Sequence, residues 1–483
     1  MNEYKLLVQR IGLITLLNIF SNLSGIILLP VLTKNMPVEE YGIWSQVNIT
    51  IGLASIIILL GLPHSMVRFM AAMKERNEIR ERFYSILSII FVMAILASIA
   101  FYYFSGTLAA LLFGNNIAIT RLLPVLILIE SINAILYNYF RTFQRMKVYS
   151  FFTFIGIYLS IALAYYFVSL GGGIYGAVIG LLLSKFILFL VMISLIIVEI
   201  GISIPMFRNI RDYLAFGLPL VPSGLSDWVI NSSDRYVISI FLGTAYVGYY
   251  SPGYLLGNII VMFIYPIGCV LPVELAKHFD ENKKELVETI LNRSLKYFLV
   301  FAIPATFGLT ILSKTLLSIL STPDIADQGY MITPFVALGM VLFGITSIVS
   351  NIIALIKRTT ISCTIWFIAA LSNLGLTLFL VPRIGIVGAA AATLIAFFFA
   401  LLLTTYYSQK FISLRFDYIY LLKILAASLL MSAMLIILSP GSLVEILLAI
   451  ILCAAVYFFT LFVLKALGKE EINFLKNLFC KTA

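Results

Sequence analysis

Charge is scarce in this chain. Only 11% of its 483 residues are Asp, Glu, Lys or Arg, against about 25% in a soluble protein of ordinary composition. Histidine is scarcer still. His64 and His278 are the only two, so a His-based metal or catalytic centre is not expected. The four cysteines, Cys269, Cys363, Cys453 and Cys480, lie far apart with no metal-type spacing. They read as packing residues, with no disulfide framework. No nucleophile with a neighbouring base, glycine loop for phosphate or metal motif can be assembled, so the chain is not expected to be an enzyme or to hold a cofactor. A membrane-bound glycosyltransferase or polymerase would be expected to carry a large outside loop, and every outside loop expected here is short.

Apolar residues fill the space. They make up 62% of the chain, and the mean hydropathy is +1.08. No soluble core absorbs that much apolar surface, so the reading is an all-α polytopic membrane protein. A span needs roughly 20 apolar residues. Fourteen candidates fit, at 11–33, 44–63, 83–104, 120–140, 149–169, 174–198, 213–240, 249–271, 297–319, 331–356, 360–381, 384–408, 421–439 and 444–466. The first lacks a small-residue cleavage site and is followed at once by another span, so it reads as a span and not a signal peptide.

The net charge of +10 has a location. With the N-terminus placed inside, only Lys34 and Arg383 of the 32 basic residues fall in outside loops. Arg121, Lys185, Arg235 and Lys314 lie deeper within spans, and the other 26, with Lys423 and Lys465 at the inner ends of their spans, lie toward the inner face. This asymmetry predicts that both termini are cytoplasmic. It also makes the excess charge a rim beside anionic lipid headgroups. Nucleic acid is not an expected partner.

Three short matches suggest a duplication. "EYGIWSQ" from Glu40 resembles "YVGYYSP" from Tyr246 at an offset of 206. "FSGTLAALL" from Phe104 resembles "LSKTLLSIL" from Leu312 at 208. "GIYGAVIG" from Gly173 resembles "GIVGAAAA" from Gly385 at 212. Each offset covers six spans, so the halves are parallel repeats, a type that binds substrate between its halves. The expected organisation is a six-helix lobe at 1–200, a second at 201–412, and two further helices with a tail at 413–483.

Ionisable groups inside a bilayer usually face a cavity or a partner. In span 7, Ser223, Asp227, Asn231 and Asp234 recur on one helix face, with Arg235 at its edge. Asp234 and Arg235 are sequence neighbours and are expected not to face one another. Asp227, Asn231 and Arg235 are expected to face a cavity between the lobes, with a structural ion pair to another helix as the alternative for Arg235. The corresponding face of span 1 carries Asn18, Ser21, Asn22 and Gly25. Glu130 in span 4 shares a face with Asn133 and Tyr137, and Lys185 in span 6 is a candidate partner for it. Arg68, one turn after His64, is either a cavity residue or a side chain reaching for the interface. Lys314 and Arg121 read as interfacial. Tyr250, Tyr254 and Asn258 form an aromatic-polar stripe on span 8, and Tyr254 is deep enough for a sugar-stacking role.

Taken together, these features resemble the Wzx-type polysaccharide transporters, the flippases of lipid-linked oligosaccharides within the multidrug/oligosaccharidyl-lipid/polysaccharide exporter superfamily. The resemblance rests on the 6 + 6 + 2 layout, on "LPVLTKNMPVEEYGIWS", on "SSDRYVISIFLGTAYVGYYSPGYLLG", and on "GIYGA" and "GIVGA". It implies two six-helix bundles forming a V around a central cavity. It also implies that a polyprenyl-(pyro)phosphate-linked glycan is moved to the outer leaflet of the plasma membrane by alternating access, for cell-surface polysaccharide synthesis. By the same resemblance, Arg68, Lys185 or Arg235 would meet the phosphates, and the last two helices would help hold the lipid tail. Membrane lipids and other polysaccharide-assembly proteins are the implied partners. H+ or Na+ is the candidate coupling ion, at Asp227 or Glu130. A multidrug/cation antiporter of the same superfamily is the alternative, disfavoured by the added pair of helices.

Overall fold

The computed structural model describes residues 17, 20, 21, 23–412 and 417–466. Asn18 and Asn22 lie outside them. All regular structure among the described residues is helical: α1 (Leu23–Thr33), α2 (Val38–Leu59), α3 (Leu62–Met70), α4 (Arg76–Tyr103), α5 (Ser105–Leu112), α6 (Ile117–Thr142), α7 (Met146–Phe167), α8 (Gly173–Ile200), α9 (Ile210–Gly217), α10 (Val221–Leu242), α11 (Thr244–Gly257), α12 (Tyr265–Asp280), α13 (Lys284–Leu320), α14 (Pro323–Gly329), α15 (Ile332–Leu355), α16 (Thr359–Ile384), α17 (Ile386–Ser408), α18 (Tyr418–Leu438) and α19 (Leu443–Val463). The reason is solvent. Hydrocarbon offers no hydrogen bonds, so each spanning segment must satisfy its own backbone.

Among the described residues, eleven stretches are long and apolar enough to cross a membrane. One of them, Met146–Ile200, covers 55 residues and contains both α7 and α8, which are separated by a turn at Gly171 with φ +83°. Two expected spans fall outside the eleven. Only part of the first is described, as α1. The other is α10, whose Asp227, Asp234 and Arg235 break the apolar run. Every expected span therefore coincides with a helix or a described part of one.

Several spans are broken where the sequence places glycine or proline. Span 2 stops at Leu60 and Gly61, both left-handed with φ +50° and +69°, and resumes as α3. A side chain at Gly61 would run into the backbone of Gly217, so two helix breaks abut there. Span 7 is interrupted by a 3-10 turn at Leu218–Leu220, which contains Pro219 and is followed by Pro222. Span 8 has a 3-10 stretch at Asn258–Phe263 between α11 and α12.

The chain forms two compact units, one of Met1–Pro252 with Cys363–Ala396 and one of Gly253–Ser362 with Phe397–Ala483. In the first, α6 is the most enclosed candidate span, and the Asn138 side chain donates to the Pro63 carbonyl at 2.9 Å, joining α6 to α3. In the second, α18 and α19 pack on the long α13. Val300, Leu312, Ile424, Met431, Ile446 and Leu461 share an apolar cluster there. The Tyr457 hydroxyl donates to the Val300 carbonyl at 2.8 Å, which fixes α19 against α13. The surface of both units carries large apolar side chains, such as Val198 at 80% and Ile437 at 81% exposure, as lipid contact requires.

Candidate functional site

The face expected on span 7 is real, but it divides along α10. Ser223 and Asp227 are exposed and Asn231 is half-buried. The Asn231 amide donates to the Asp227 carboxylate at 3.1 Å and to its carbonyl at 3.0 Å, tying the two into one polar patch. One turn further along the helix the chain is closed in. Asp234 is fully buried and Arg235 is 7% exposed.

Asp234 and Arg235 do pair, against the expectation for sequence neighbours. The Arg235 Nη1 lies 3.0 Å from Asp234 Oδ1 and donates to the Asn231 carbonyl at 2.9 Å. The Arg235 backbone N–H donates to the same Asp234 oxygen at 2.8 Å. The long arginine stem lets the guanidinium fold back along its own helix, so the angular separation of adjacent residues does not keep the groups apart. The Tyr250 hydroxyl donates to the other Asp234 oxygen. The guanidinium also sits 5.4 Å from the centre of the Tyr250 ring. A charged pair thus joins α10 to α11.

A set of side chains that the sequence reading passed over holds α10 to α2. Gln46 is fully buried and donates from Nε2 to the Arg235 carbonyl at 2.8 Å. The Trp228 indole donates to the Ile49 carbonyl at 3.0 Å. Thr50 and Tyr236 share a hydroxyl hydrogen bond of 2.7 Å, and Trp228 meets Tyr236 edge-on at 5.2 Å between ring centres. The available signal was the run "WSQVNIT" in span 2, which is polar for a membrane helix.

Glu130 and Lys185 come together as the sequence suggested. The Lys185 ammonium lies 3.0 Å from each Glu130 oxygen, and both side chains are about a quarter exposed, at 27% and 23%. Asn133 donates to the Lys185 carbonyl at 2.9 Å, which locks α6 to α8 beside the pair. Arg68 is exposed at the end of α3 and makes no ion pair among the described residues. Tyr254 is 7% exposed and belongs to the second unit. Lys314 pairs with Asp327 at 2.7 Å with both exposed, in keeping with an interfacial position. Arg121 lies 6.0 Å over the Tyr102 ring. Among the described residues, no group of three or more His, Cys, Asp or Glu is placed to hold a metal.

The chain matches the family described as "Polysaccharide biosynthesis protein" over residues 7–274, more than half its length. It belongs to that family. The family described as MatE also matches, over residues 219–379. Among curated proteins, the chain is 23% identical over 214 residues to the "Probable low-salt glycan biosynthesis flippase Agl15" of Haloferax volcanii, covering 44% of this chain and 45% of that protein. It is 23% identical over 184 residues to the "Uncharacterized membrane protein MJ1068" of Methanocaldococcus jannaschii, covering 38% and 36%. The chain spans less than half the length of these relatives. Among solved structures, "Lipid II flippase MurJ, inward closed conformation" superposes with a TM-score of 0.74 at 20% identity, covering 92% of this chain and 97% of that one. An inward-facing multidrug resistance MATE family transporter of the MOP superfamily gives 0.68 at 15% identity, covering 81% and 94%. The fold of this family member is therefore like that of these two solved membrane proteins, an all-helical multi-pass fold as the sequence resemblance implied. Of these four proteins, two are named as flippases, one as a transporter and one as an uncharacterized membrane protein.

Proposed function

We propose that this polysaccharide-biosynthesis family member moves a polyprenyl-(pyro)phosphate-linked oligosaccharide from the inner to the outer leaflet of the plasma membrane by alternating access. Both termini lie in the cytoplasm in this reading. The observation that carries it is the polar face of a membrane helix with Ser223 and Asp227 exposed and Asn231 half-buried beside them. Such a face is expensive in lipid and useful only to a polar passenger. A glycan headgroup needs hydroxyl, amide and carboxylate partners of this kind, while its lipid tail stays in the bilayer. The similarity to a named glycan-biosynthesis flippase supports the same substrate class.

Phosphate recognition falls to Arg68. It is the exposed cation without an ion pair among the candidates, whereas Lys185 is engaged by Glu130 and Arg235 by Asp234. A guanidinium binds phosphate oxygens through paired, charge-assisted hydrogen bonds. Asp227 is the site for a coupling H+ or Na+, since it is exposed and held by one amide.

The MatE match keeps one second reading, a drug or cation antiporter. Deleting the gene separates the two. The flippase reading expects undecorated cell surfaces and lipid-linked glycan accumulating at the inner leaflet, restored by wild type and not by Arg68→Ala. Normal surface glycan with new drug sensitivity would favour the antiporter.

A further inference from the structure

Several basic side chains of the second unit are neutralised by acids. Lys283 pairs with Glu281 at 2.8 Å, Lys296 with Asp417 at 3.0 Å and Lys314 with Asp327 at 2.7 Å. The ends of α15 and α17 that the charge asymmetry places inside are different. From Gln328 to Phe416 the sequence has no Asp or Glu. Two exposed cations, Arg358 just after α15 and Lys410 just after α17, rest there on aromatic rings. The Arg358 guanidinium lies 5.8 Å from the centre of the Phe411 ring. The Lys410 ammonium lies 4.4 Å from the centre of the Tyr406 ring and 5.0 Å from that of Tyr407. The two helix ends are held together, because the Ser408 hydroxyl donates to the Val349 carbonyl at 3.4 Å. Lys357 adds a third exposed charge beside Arg358, and Asp280 of α12 lines the same shallow cleft as Lys357 without pairing with it.

The surface leading up to this cluster is apolar. Phe399, Leu402 and Tyr406 recur on one face of α17, and the next position of that stripe is Lys410. Their exposures are 43%, 49% and 61%. The stripe is therefore lipid-facing along its length and cationic at its end.

We propose that this surface is a binding site for one anionic phospholipid of the inner leaflet, held as a resident lipid and not as cargo. The proposal does not depend on the transport reading above. An acyl chain lies along Phe399 and Leu402, Tyr406 marks the interface, and the headgroup phosphate meets Arg358 and Lys410. Aromatic residues favour that depth. Contact with a ring face takes up none of the N–H donors of either cation, so they are left for phosphate oxygens through charge-assisted hydrogen bonds. A zwitterionic headgroup carries its own ammonium and competes with the protein for its phosphate. Free phosphate has no chain to cover the stripe.

The test uses the full-length protein in detergent with a phosphatidylglycerol that carries a diazirine in its acyl chain, and maps the peptides labelled on irradiation. Label is expected on the segment 399–406. Arg358→Gln with Lys410→Gln should lower it by at least about tenfold, since each cation near an anionic surface contributes roughly fivefold. Lys277→Gln with Lys284→Gln removes the same charge from exposed positions of the same unit and should label like wild type. Unlabelled phosphatidylglycerol should compete with the probe on wild-type protein and phosphatidylcholine should not, which decides the question even where the first double variant fails to fold. Equal loss of label in both double variants would mean attraction by net charge alone and would overturn the proposal. Equal competition by phosphatidylcholine would overturn it too. Competition by inorganic phosphate at matched concentration would make this a free-phosphate site, and stronger competition by a polyprenyl pyrophosphate would make it part of the cargo path. Either result refutes a resident phospholipid.

Discussion

Arg235→Ala separates a structural charge from a transport charge. In the wild type the Asp234 carboxylate is fully buried and satisfied by the Arg235 guanidinium, the Arg235 backbone N–H and the Tyr250 hydroxyl. Removing the guanidinium leaves the anion buried with two neutral donors. Breaking a buried pair on one side usually costs about 3–5 kcal/mol. The two remaining donors argue for the low end, about 3 kcal/mol. A loss of that size is a large part of the stability of an ordinary domain, so membrane expression and melting temperature in detergent should both fall. The paired variant Asp234→Asn with Arg235→Met removes both charges and should recover most of the loss, because neutral replacement of a buried pair is often tolerated. The assay is fluorescence-detected gel filtration of a tagged protein across a heating series. Wild-type expression and melting for Arg235→Ala, together with lost transport, would refute the argument and return Arg235 to the substrate path.

Three smaller effects follow from the same geometry. Lys185→Ala should destabilise more than Glu130→Gln with Lys185→Gln, by about 1–2 kcal/mol at this quarter-exposed site, read in the same melting series. Tyr457→Phe should lose about 1 kcal/mol, because it removes the hydrogen bond from α19 to the Val300 carbonyl of α13. Asp417 caps α18 through the Tyr420 backbone N–H and pairs with Lys296 at 3.0 Å, and these contacts hold its carboxyl below the ordinary range. Its stabilising contribution is therefore complete at neutral pH and is lost as pH falls through the depressed value. Asp417→Asn should keep the cap and lose less than about 1 kcal/mol, Asp417→Ala about 1 kcal/mol more, and the difference between wild type and Asp417→Asn should shrink in acid.

Hydropathy was enough to read the helices, because a membrane span must be long, apolar and internally hydrogen-bonded. Glu130 and Lys185 were legible for a related reason: two opposite charges at similar depth on nearby spans have few other ways to be satisfied. Asp234 with Arg235 was not, since pairing between adjacent residues depends on how a flexible arginine folds back. Gln46, Thr50 and Trp228 escaped notice because polar side chains in a helix often bond within their own turn, and only packing shows that these reach across to another. The "EYGIWS" and "YVGYYS" motifs were visible as a repeat, but nothing in a one-dimensional match says that the two copies meet, as they do at the Ser45–Ser251 hydrogen bond. The helix breaks at Gly61 and at Leu218–Leu220 were also passed over, although glycine and proline mark both. Asn18 and Asn22, expected on the matching face of span 1, lie outside the described residues.

The account stands or falls on what the α10 face carries. The direct measurement is the initial rate at which purified protein in proteoliposomes moves a fluorescent polyprenyl-pyrophosphate-linked oligosaccharide between leaflets, scored by accessibility of the glycan to an external glycosidase. Wild type should exchange the lipid-linked glycan far faster than protein-free vesicles. Asp227→Ala, which disturbs an exposed side chain and leaves the buried Asp234–Arg235 pair intact, should melt like wild type and move the glycan at least about tenfold more slowly. Equal rates for wild type, Asp227→Ala and empty vesicles would contradict the account.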